Sequence, residues 1–238
     1  MKLSTLNGKM NYLAIGTNAK TAKGDDDTQL TAIMYLAPAT ISGYEVCPAR
    51  SEGCTNSCLF TAGRGAMSTV QKARIRKTKE FFEDQSMFLT KLTEDLVLFE
   101  QYCIDNNMKG YVRLNGTSDI KWEEYVNMSS FNLYFYDYTK RQDRDFTKIA
   151  NNYKITFSRS EDSSEDEISE ALLNTNVAMV FDEVPVTWKI KGTEVSVIEG
   201  DLTDLRYEDP KGVIIGLKAK GMAKKDLSGF VIKTEISK

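Results

Sequence analysis

The sequence predicts an α/β fold, namely an incomplete (βα)6-type barrel with a mainly parallel sheet and a small hairpin insertion near residues 183–200. Six short apolar runs alternate with stretches of helical periodicity, and strands that are apolar on both faces are typical of a parallel sheet covered by helices. A chain of 238 residues is short for a full barrel, so six units are expected. Its length and its 41% of hydrophobic residues predict one domain over residues 1–238.

The six predicted strands are rich in β-branched and aromatic residues. They are "AIMYLA" (32–37), "GYVRLN" (110–115), "FNLYFYD" (131–137), "YKITFS" (153–158), "NVAMVFD" (176–182) and "GVIIGLK" (212–218). Before the last of them, "VPVTWKIKGTEVSVIEGD" interrupts the alternation with a hairpin pattern that turns at Lys191 and Gly192.

Helical periodicity is clearest in "MFLTKLTEDLVLFEQYCID" (87–105). Five of its residues fall on one face of a helix: Phe88, Leu92, Leu96, Phe99 and Cys103. Cys103 is therefore expected to pack in the core, as small apolar side chains do. Shorter helices are predicted at 67–82, 120–128, 143–150 and 164–173, the last opened by an acidic run suited to a helix N-terminus.

Composition excludes several classes of function. Lys and Arg number 31 against 34 Asp and Glu, so the net charge of −3 gives no global signal for duplex DNA. The absence of histidine excludes Ser-His-Asp and Cys-His catalysis and histidine-bearing metal sites. Neither common nucleotide-binding glycine motif is present. Without an apolar run long enough for a signal peptide or a membrane span, we expect a cytoplasmic protein with no membrane contact.

Polar residues follow the predicted strands, and the carboxyl ends of parallel strands share the edge where ligands bind. We therefore predict a small-molecule site there. The residues expected to face it are Asn115, Ser118, Asp119, Asp137, Ser158, Asp182 and Lys218, with Arg64 at the edge. Arg64 lies between two glycines, where its guanidinium can meet a ligand carboxylate or phosphate. The basic segment 64–79 is an alternative contact for a nucleic-acid backbone, although the net charge does not support it.

Three of the four cysteines lie in "CPARSEGCTNSC" (47–58), just after the first predicted strand. Clustered cysteines in a reducing compartment are more often metal ligands or redox groups than disulfides, so Cys47, Cys54 and Cys58 are predicted to bind metal. Structural zinc prefers four ligands, and no fourth is close in sequence. Three thiolates can instead hold a [4Fe–4S] cluster with one iron open.

This layout is similar to that of the radical S-adenosylmethionine (SAM) enzymes, and the chain resembles a group of phage-encoded, radical-SAM-like iron–sulfur proteins of uncertain activity. The segments that carry the resemblance are "CPARSEGCTNSCLFTAGRG", "RLNGTSD", "DLTDLRYEDPKGVIIGLKAKG" and "SGFV". The resemblance implies a [4Fe–4S] cluster, SAM as a cofactor and the host-cell cytoplasm as the location. The usual spacing C-x3-C-x2-C is replaced here by C-x6-C-x3-C.

Three functions remain open at this point. The first is a radical-SAM-like enzyme acting on a small or nucleotide-like substrate, in which Asp119 takes the amino group of SAM and Lys218 a carboxylate or phosphate. The second is a non-catalytic, cluster-containing protein that engages a host component. The third is a domain in which a metal only stabilises the cysteine loop.

Overall fold

The computed structural model describes residues 2–16, 25–58, 60 and 63–234. Within these residues the chain forms a mixed α/β fold with five α-helices and ten strands. The helices are α1 (Leu3–Asn7), α2 (Glu52–Asn56), α3 (Ser68–Glu83), α4 (Gln85–Asp105) and α5 (Glu165–Asn174). The strands are β1 (Leu13–Ile15), β2 (Gln29–Met34), β3 (Lys109–Arg113), β4 (Tyr134–Thr139), β5 (Tyr153–Ser158), β6 (Asn176–Phe181), β7 (Thr187–Ile190), β8 (Thr193–Glu199), β9 (Ile214–Lys218) and β10 (Val231–Ile232).

All ten strands join one sheet in the order β1-β2-β3-β4-β5-β6-β9-β8-β7, with β10 also beside β6. Every pair from β2 to β8 along this order is parallel. Only the outer pairs, β1 with β2 and β7 with β8, are antiparallel. The predicted mainly parallel α/β sheet is therefore confirmed. Among the described strands no pairing joins β1 to β7, so the sheet is open.

The six predicted strands are all present, and the first lies three residues earlier than its apolar run indicates, at Gln29–Met34. The hairpin of β7 and β8 turns at Lys191 and Gly192, whose φ angles are 49° and 76°. Two successive positive φ angles match the twist of a tight hairpin, and glycine adopts such an angle without strain.

Two predicted helices are replaced by short 3₁₀ turns. Segment 120–128 contains only the turn Trp122–Glu124 and the start of a second one, and segment 143–150 contains the turn Phe146–Lys148. The first is shortened because the Trp122 indole N–H donates to Asn115 Oδ1 at 3.1 Å, which ties the segment to the turn after β3. Tertiary contacts thus override the helical pattern here.

The main core lies between one face of the sheet and helices α3 and α4. The predicted stripe of α4 is buried in it: Phe88, Leu92, Leu96, Phe99 and Cys103. Cys103 is only 2% exposed, as its place on the stripe predicts. A second apolar cluster lies under α5 and β6–β9. The acidic segment before α5 forms the expected cap, since Ser164 and Glu167 make a capping box.

The opposite face of the sheet carries tyrosines and charged residues and is crossed by residues 200–209, which we call the strap. Arg113 of β3 donates to Asp204 of the strap at 2.8 Å. The Tyr111 hydroxyl donates to Glu208 at 2.5 Å. Leu205 of the strap packs in the same buried cluster as Tyr111. The strap therefore closes this side of the sheet just below its carboxyl edge.

At the carboxyl edge the sheet divides between β5 and β6. The first half of β6 pairs with β5, whereas its last two residues pair with β10 through Val231 and Ile232. Arg159 holds the segment before β10 in this gap, because its Nη1 donates to the carbonyls of Gly229 and Phe230 at 2.6 and 3.0 Å. The division leaves room for side chains, and for a ligand, at this edge.

Candidate functional site

The carboxyl edge of the sheet holds a cavity of about 310 Å³. Its wall combines the ends of five parallel strands with the cysteine loop (residues 47–58), the strap and the segment before β10. The strands contribute Arg113, Tyr138, Ser158, Val180 and Leu217. This is the edge at which ligands bind in parallel α/β proteins.

The predicted site residues divide into two groups. Those that line the cavity are Asn115, Ser118, Asp119, Ser158 and Lys218. Those outside its lining are Arg64, Asp137 and Asp182. A ligand contact by any of the eight stays a prediction, because their present contacts are with the protein itself.

Asn115 and Asp119 shape the turn that follows β3. Asn115 Nδ2 donates to the Ile120 carbonyl at 2.9 Å, while its Oδ1 accepts from the Ser118 hydroxyl at 2.8 Å. The Asp119 carboxylate accepts from the backbone N–H of Lys140 at 2.8 Å, and burial raises the pKa of Asp119. Both side chains are buried, so their main effect is to fix the turn between the cysteine loop and β4.

Arg64 and Asp182 contact other parts of the chain. Arg64 is exposed in the 3₁₀ turn Gly63–Ala66. Asp182 accepts hydrogen bonds from the backbone N–H and the hydroxyl of Thr234, at 2.9 and 2.8 Å. Asp182 therefore anchors the segment that follows β10.

Lys140, just after β4, is the most unusual residue of the cavity wall. Its Nζ donates to Ser158 Oγ at 2.7 Å and to the carbonyls of Ser158 and Arg159 at 3.2 and 3.4 Å. The Phe230 ring lies 5.3 Å from the same nitrogen. Burial lowers the pKa of Lys140, although Cys54, Asp119 and Glu161 oppose this shift. Within the described residues no carboxylate forms an ion pair with it.

The other four cations of the wall are all neutralised. Each has a carboxylate partner: Arg50 with Glu45, Arg113 with Asp204, Lys218 with Glu183 and Lys220 with Asp201. Among the described residues of the wall, Lys140 is therefore the cation that has no carboxylate at ion-pair distance, although Asp119 and Glu161 act on it from further away.

Asp137 is a buried carboxyl on β4 that contributes to the support of the site. It accepts from the Asn115 backbone N–H at 2.7 Å and from the Tyr153 hydroxyl at 3.1 Å, and it is 1% exposed. Burial raises its pKa to about 7, although Arg113 and Arg144 oppose the shift. Asp137 thus titrates near neutral pH in the folded protein.

We expect this raised pKa to make Asp137 reduce stability as pH rises. Below pH 3.8, its ordinary pKa, the carboxyl is protonated in both states, whereas between that value and about 7 the unfolded chain ionises first. Urea unfolding at pH 4 to 8 should therefore show the wild type losing stability relative to Asp137→Asn, by a few kcal/mol, with a plateau above about 7. A stability difference that is independent of pH would contradict this assignment.

Two cationic side chains of segment 64–79 point into the protein rather than toward solvent. Arg74 is buried with its guanidinium carbon 4.5 Å from the centre of the Tyr35 ring. Lys77 donates to the Tyr12 carbonyl at 3.2 Å, and burial lowers the pKa of Lys77 to about 8. Fewer cations therefore remain for phosphates, and nucleic-acid binding by this segment stays a prediction.

Comparison with known proteins gives one match. The family model described as Gene product 88 (GP88) matches residues 7–234, which is nearly the whole chain. The chain belongs to the GP88 family. This membership supports the phage-type part of the resemblance, while nothing in it indicates a radical-SAM or iron–sulfur protein. No curated protein and no solved structure matches the chain. No helix in the described part of this GP88 protein is long and apolar enough to cross a membrane.

The iron–sulfur prediction is wrong for this GP88 protein. Cys47, Cys54 and Cys58 all line the cavity, but the described residues contain no group of three or more Cys, Asp or Glu side chains placed to hold a metal ion. Cys47 Sγ lies 3.8 Å from the Thr117 carbonyl and packs against the main core, whereas Cys54 packs against the cluster that contains Phe230.

Burial raises the pKa of Cys47 to about 12 and those of Cys54 and Cys58 as well. Because the described residues contain no group placed to hold a metal ion, the correction extends to the radical-SAM-like enzyme, to the cluster-containing binding protein and to the metal-stabilised domain.

The structure adds residues to the GP88 site that the sequence analysis missed. Lys140, Arg113 and Tyr138 line the cavity, and each lies two residues from another polar or aromatic residue on its strand or strand end. A period of two within "YVRLN" and "YFYDYTK" is the signal that could have found them, because alternate residues of a strand face the same side. No local pattern identifies Asp204 of the strap.

Proposed function

We propose that this GP88-family chain binds a small anionic molecule in the carboxyl-edge cavity, with Lys140 as the main cationic contact. The observation that supports the proposal is the Lys140 ammonium group on the cavity wall, which forms hydrogen bonds only with neutral groups and no ion pair among the described residues. Four neighbouring cations have carboxylate partners and this one does not. An anionic ligand would supply such a partner in direct contact.

The energetic argument concerns burial. A buried ammonium group without a counter-charge in direct contact is costly, and neutral hydrogen-bond acceptors recover only part of its lost hydration. Ser158 and the Arg159 carbonyl hold the Lys140 nitrogen in place, but neither carries a negative charge. A carboxylate or phosphate at this position would form a charge-assisted hydrogen bond in a partly dehydrated setting, where such bonds are strong.

The shape and lining of the cavity indicate the rest of the ligand. A volume of about 310 Å³ suits a small molecule, and Val180, Leu217, Ala223 and Phe230 supply apolar wall. We infer that the sheet curves around this space as an incomplete barrel, since five neighbouring strands contribute to one concave lining. The ligand would then have an anionic group at Lys140 and an apolar body along the end of the sheet.

Calorimetric titration of the purified chain with benzoate, phenyl phosphate and inorganic phosphate tests the proposal. We expect at least one of these anions to bind, and the Lys140→Met variant to bind it at least tenfold more weakly, because the cation is lost while the apolar length is kept. Lys148→Met is the matched control, since Lys148 is an exposed lysine outside the cavity lining. Equal affinity in the wild type and Lys140→Met, or no binding of any of the three anions, would refute the proposal.

A further inference from the structure

Arg113 lies where β3 and the strap meet in the cavity wall. It is 8% exposed, and the centre of the Tyr138 ring lies 4.7 Å from its guanidinium carbon. Its Nη1 donates to Asp204 Oδ2 at 2.8 Å, whereas its Nε is buried without a hydrogen-bond partner. Arginine–carboxylate pairs are frequently bidentate. The described bond to Asp204 uses one nitrogen of the guanidinium, and Nε remains without an acceptor.

The strap contains further buried polar atoms with unmade hydrogen bonds. Arg206 Nε and the Tyr136 hydroxyl beneath the strap have no hydrogen-bond partner, whereas Arg206 Nη1 forms an ion pair with Asp209 Oδ2 at 3.3 Å. Unmade hydrogen bonds of this kind raise the free energy of the closed arrangement relative to one in which the groups meet water or a ligand. The contact between Arg113 and Asp204 is the one between strap and sheet that another anion could replace, because Arg113 Nε has no partner there.

We infer that Arg113 is a second anion-binding group of the cavity and that Asp204 occupies it in the absence of ligand. A ligand oxyanion would replace the Asp204 carboxylate and bond to the guanidinium. This inference rests on the proposed function, because it concerns the same cavity and the same ligand. With Lys140 as one cationic contact and Arg113 as the other, the ligand class is a small dianion whose charged groups are carboxylates or phosphates.

If a ligand replaces Asp204 at Arg113, then removing the Asp204 charge should change the dianion affinity in the direction opposite to that expected for a purely structural ion pair. If Asp204 competes with the ligand for one guanidinium, removal of its charge strengthens dianion binding. If the pair only stabilises the cavity, the same change weakens binding or leaves it unaltered. Asp204→Asn is nearly isosteric, so it separates these outcomes with little change in packing.

The experiment uses full-length protein and matched probes. Linear dicarboxylates from malonate to adipate and phosphoglycolate serve as dianions, with monocarboxylates of the same carbon number as controls. We expect at least one dianion to bind the wild type tenfold more tightly than its control, and Asp204→Asn to increase that affinity about tenfold further. Arg113→Gln should reduce the affinity for the dianion to that measured for the monocarboxylate control.

A second measurement covers the case in which Arg113→Gln does not fold. Hydrogen exchange of backbone amides in the strap should become faster in the wild type when the dianion is added, because Asp204 is released. Dianions that bind no more tightly than monocarboxylates in both the wild type and Asp204→Asn would overturn the inference. Monocarboxylate binding that still depends on Lys140 would leave the proposed function standing, whereas loss of all anion binding would remove both.

Discussion

The Asp95→Ala variant is expected to lose about 3–5 kcal/mol of free energy of unfolding. Asp95 lies in α4, is 0% exposed, and accepts from the backbone N–H groups of Tyr12 and Leu13 at 2.7 and 2.9 Å. Its other oxygen accepts from the backbone N–H of Asn11 at 2.8 Å. One carboxylate therefore attaches the start of the chain to the central helix.

The expected loss of stability is large because the substitution leaves buried hydrogen-bond donors without an acceptor. Alanine at position 95 removes the acceptor but not the donors, so the N–H groups of Tyr12 and Leu13 remain buried without partners at the edge of the sheet. A buried donor left unpaired costs about 1–3 kcal/mol. Asp95→Asn should be less damaging, because its amide oxygen can still accept from Tyr12 and Leu13 while its nitrogen would face the N–H of Asn11.

Urea unfolding measures this loss, and hydrogen exchange locates it. Glu94→Ala is the matched control, since Glu94 is the neighbouring exposed acid of the same helix and should change stability by less than about 0.5 kcal/mol. In Asp95→Ala the amides of Tyr12 and Leu13 should exchange faster than those of the central strands. A stability equal to that of Glu94→Ala would show that these bonds contribute little.

Much of the sheet could be predicted from the sequence because its six central strands are continuous apolar runs. The same reasoning cannot find β1 and β10, which have three and two residues and no periodicity of their own. The predicted helix at 120–128 fails for another reason. Trp122 and Asn115 bond across a tight turn, and no propensity scale contains such a contact.

The position of the cavity was predictable and the charge pairing of its wall was not. Parallel strands bring their carboxyl ends to one edge whatever the side chains are, so the location follows from topology alone. The charge balance depends on pairs distant in sequence, such as Arg113 with Asp204 and Lys218 with Glu183. The spacing of Cys47, Cys54 and Cys58 likewise does not predict the direction in which each thiol points.

Asn115→Ala is expected to cost about 3–4 kcal/mol of stability and to weaken anion binding at the same time. The Asn115 side chain is 2% exposed and bonds to the Ser118 hydroxyl, the Ile120 backbone and the Trp122 indole. Alanine would leave the indole N–H and the Ile120 N–H unpaired, whereas the Ile120 carbonyl would keep the Arg144 guanidinium as a donor. The turn would then no longer hold Asp119 against the backbone of Lys140.

The outcome decides between two roles for a residue that the sequence analysis predicted as a ligand contact. A positioning residue changes stability, Trp122 fluorescence and ligand affinity together, because all three depend on one turn. A residue that only contacts ligand changes affinity while the midpoint of urea unfolding stays the same. Asn132→Ala, which removes an exposed asparagine near β4, is the control and should alter none of the three. Because the described bonds of the Asn115 side chain all lie within residues 115–122, we expect the first pattern.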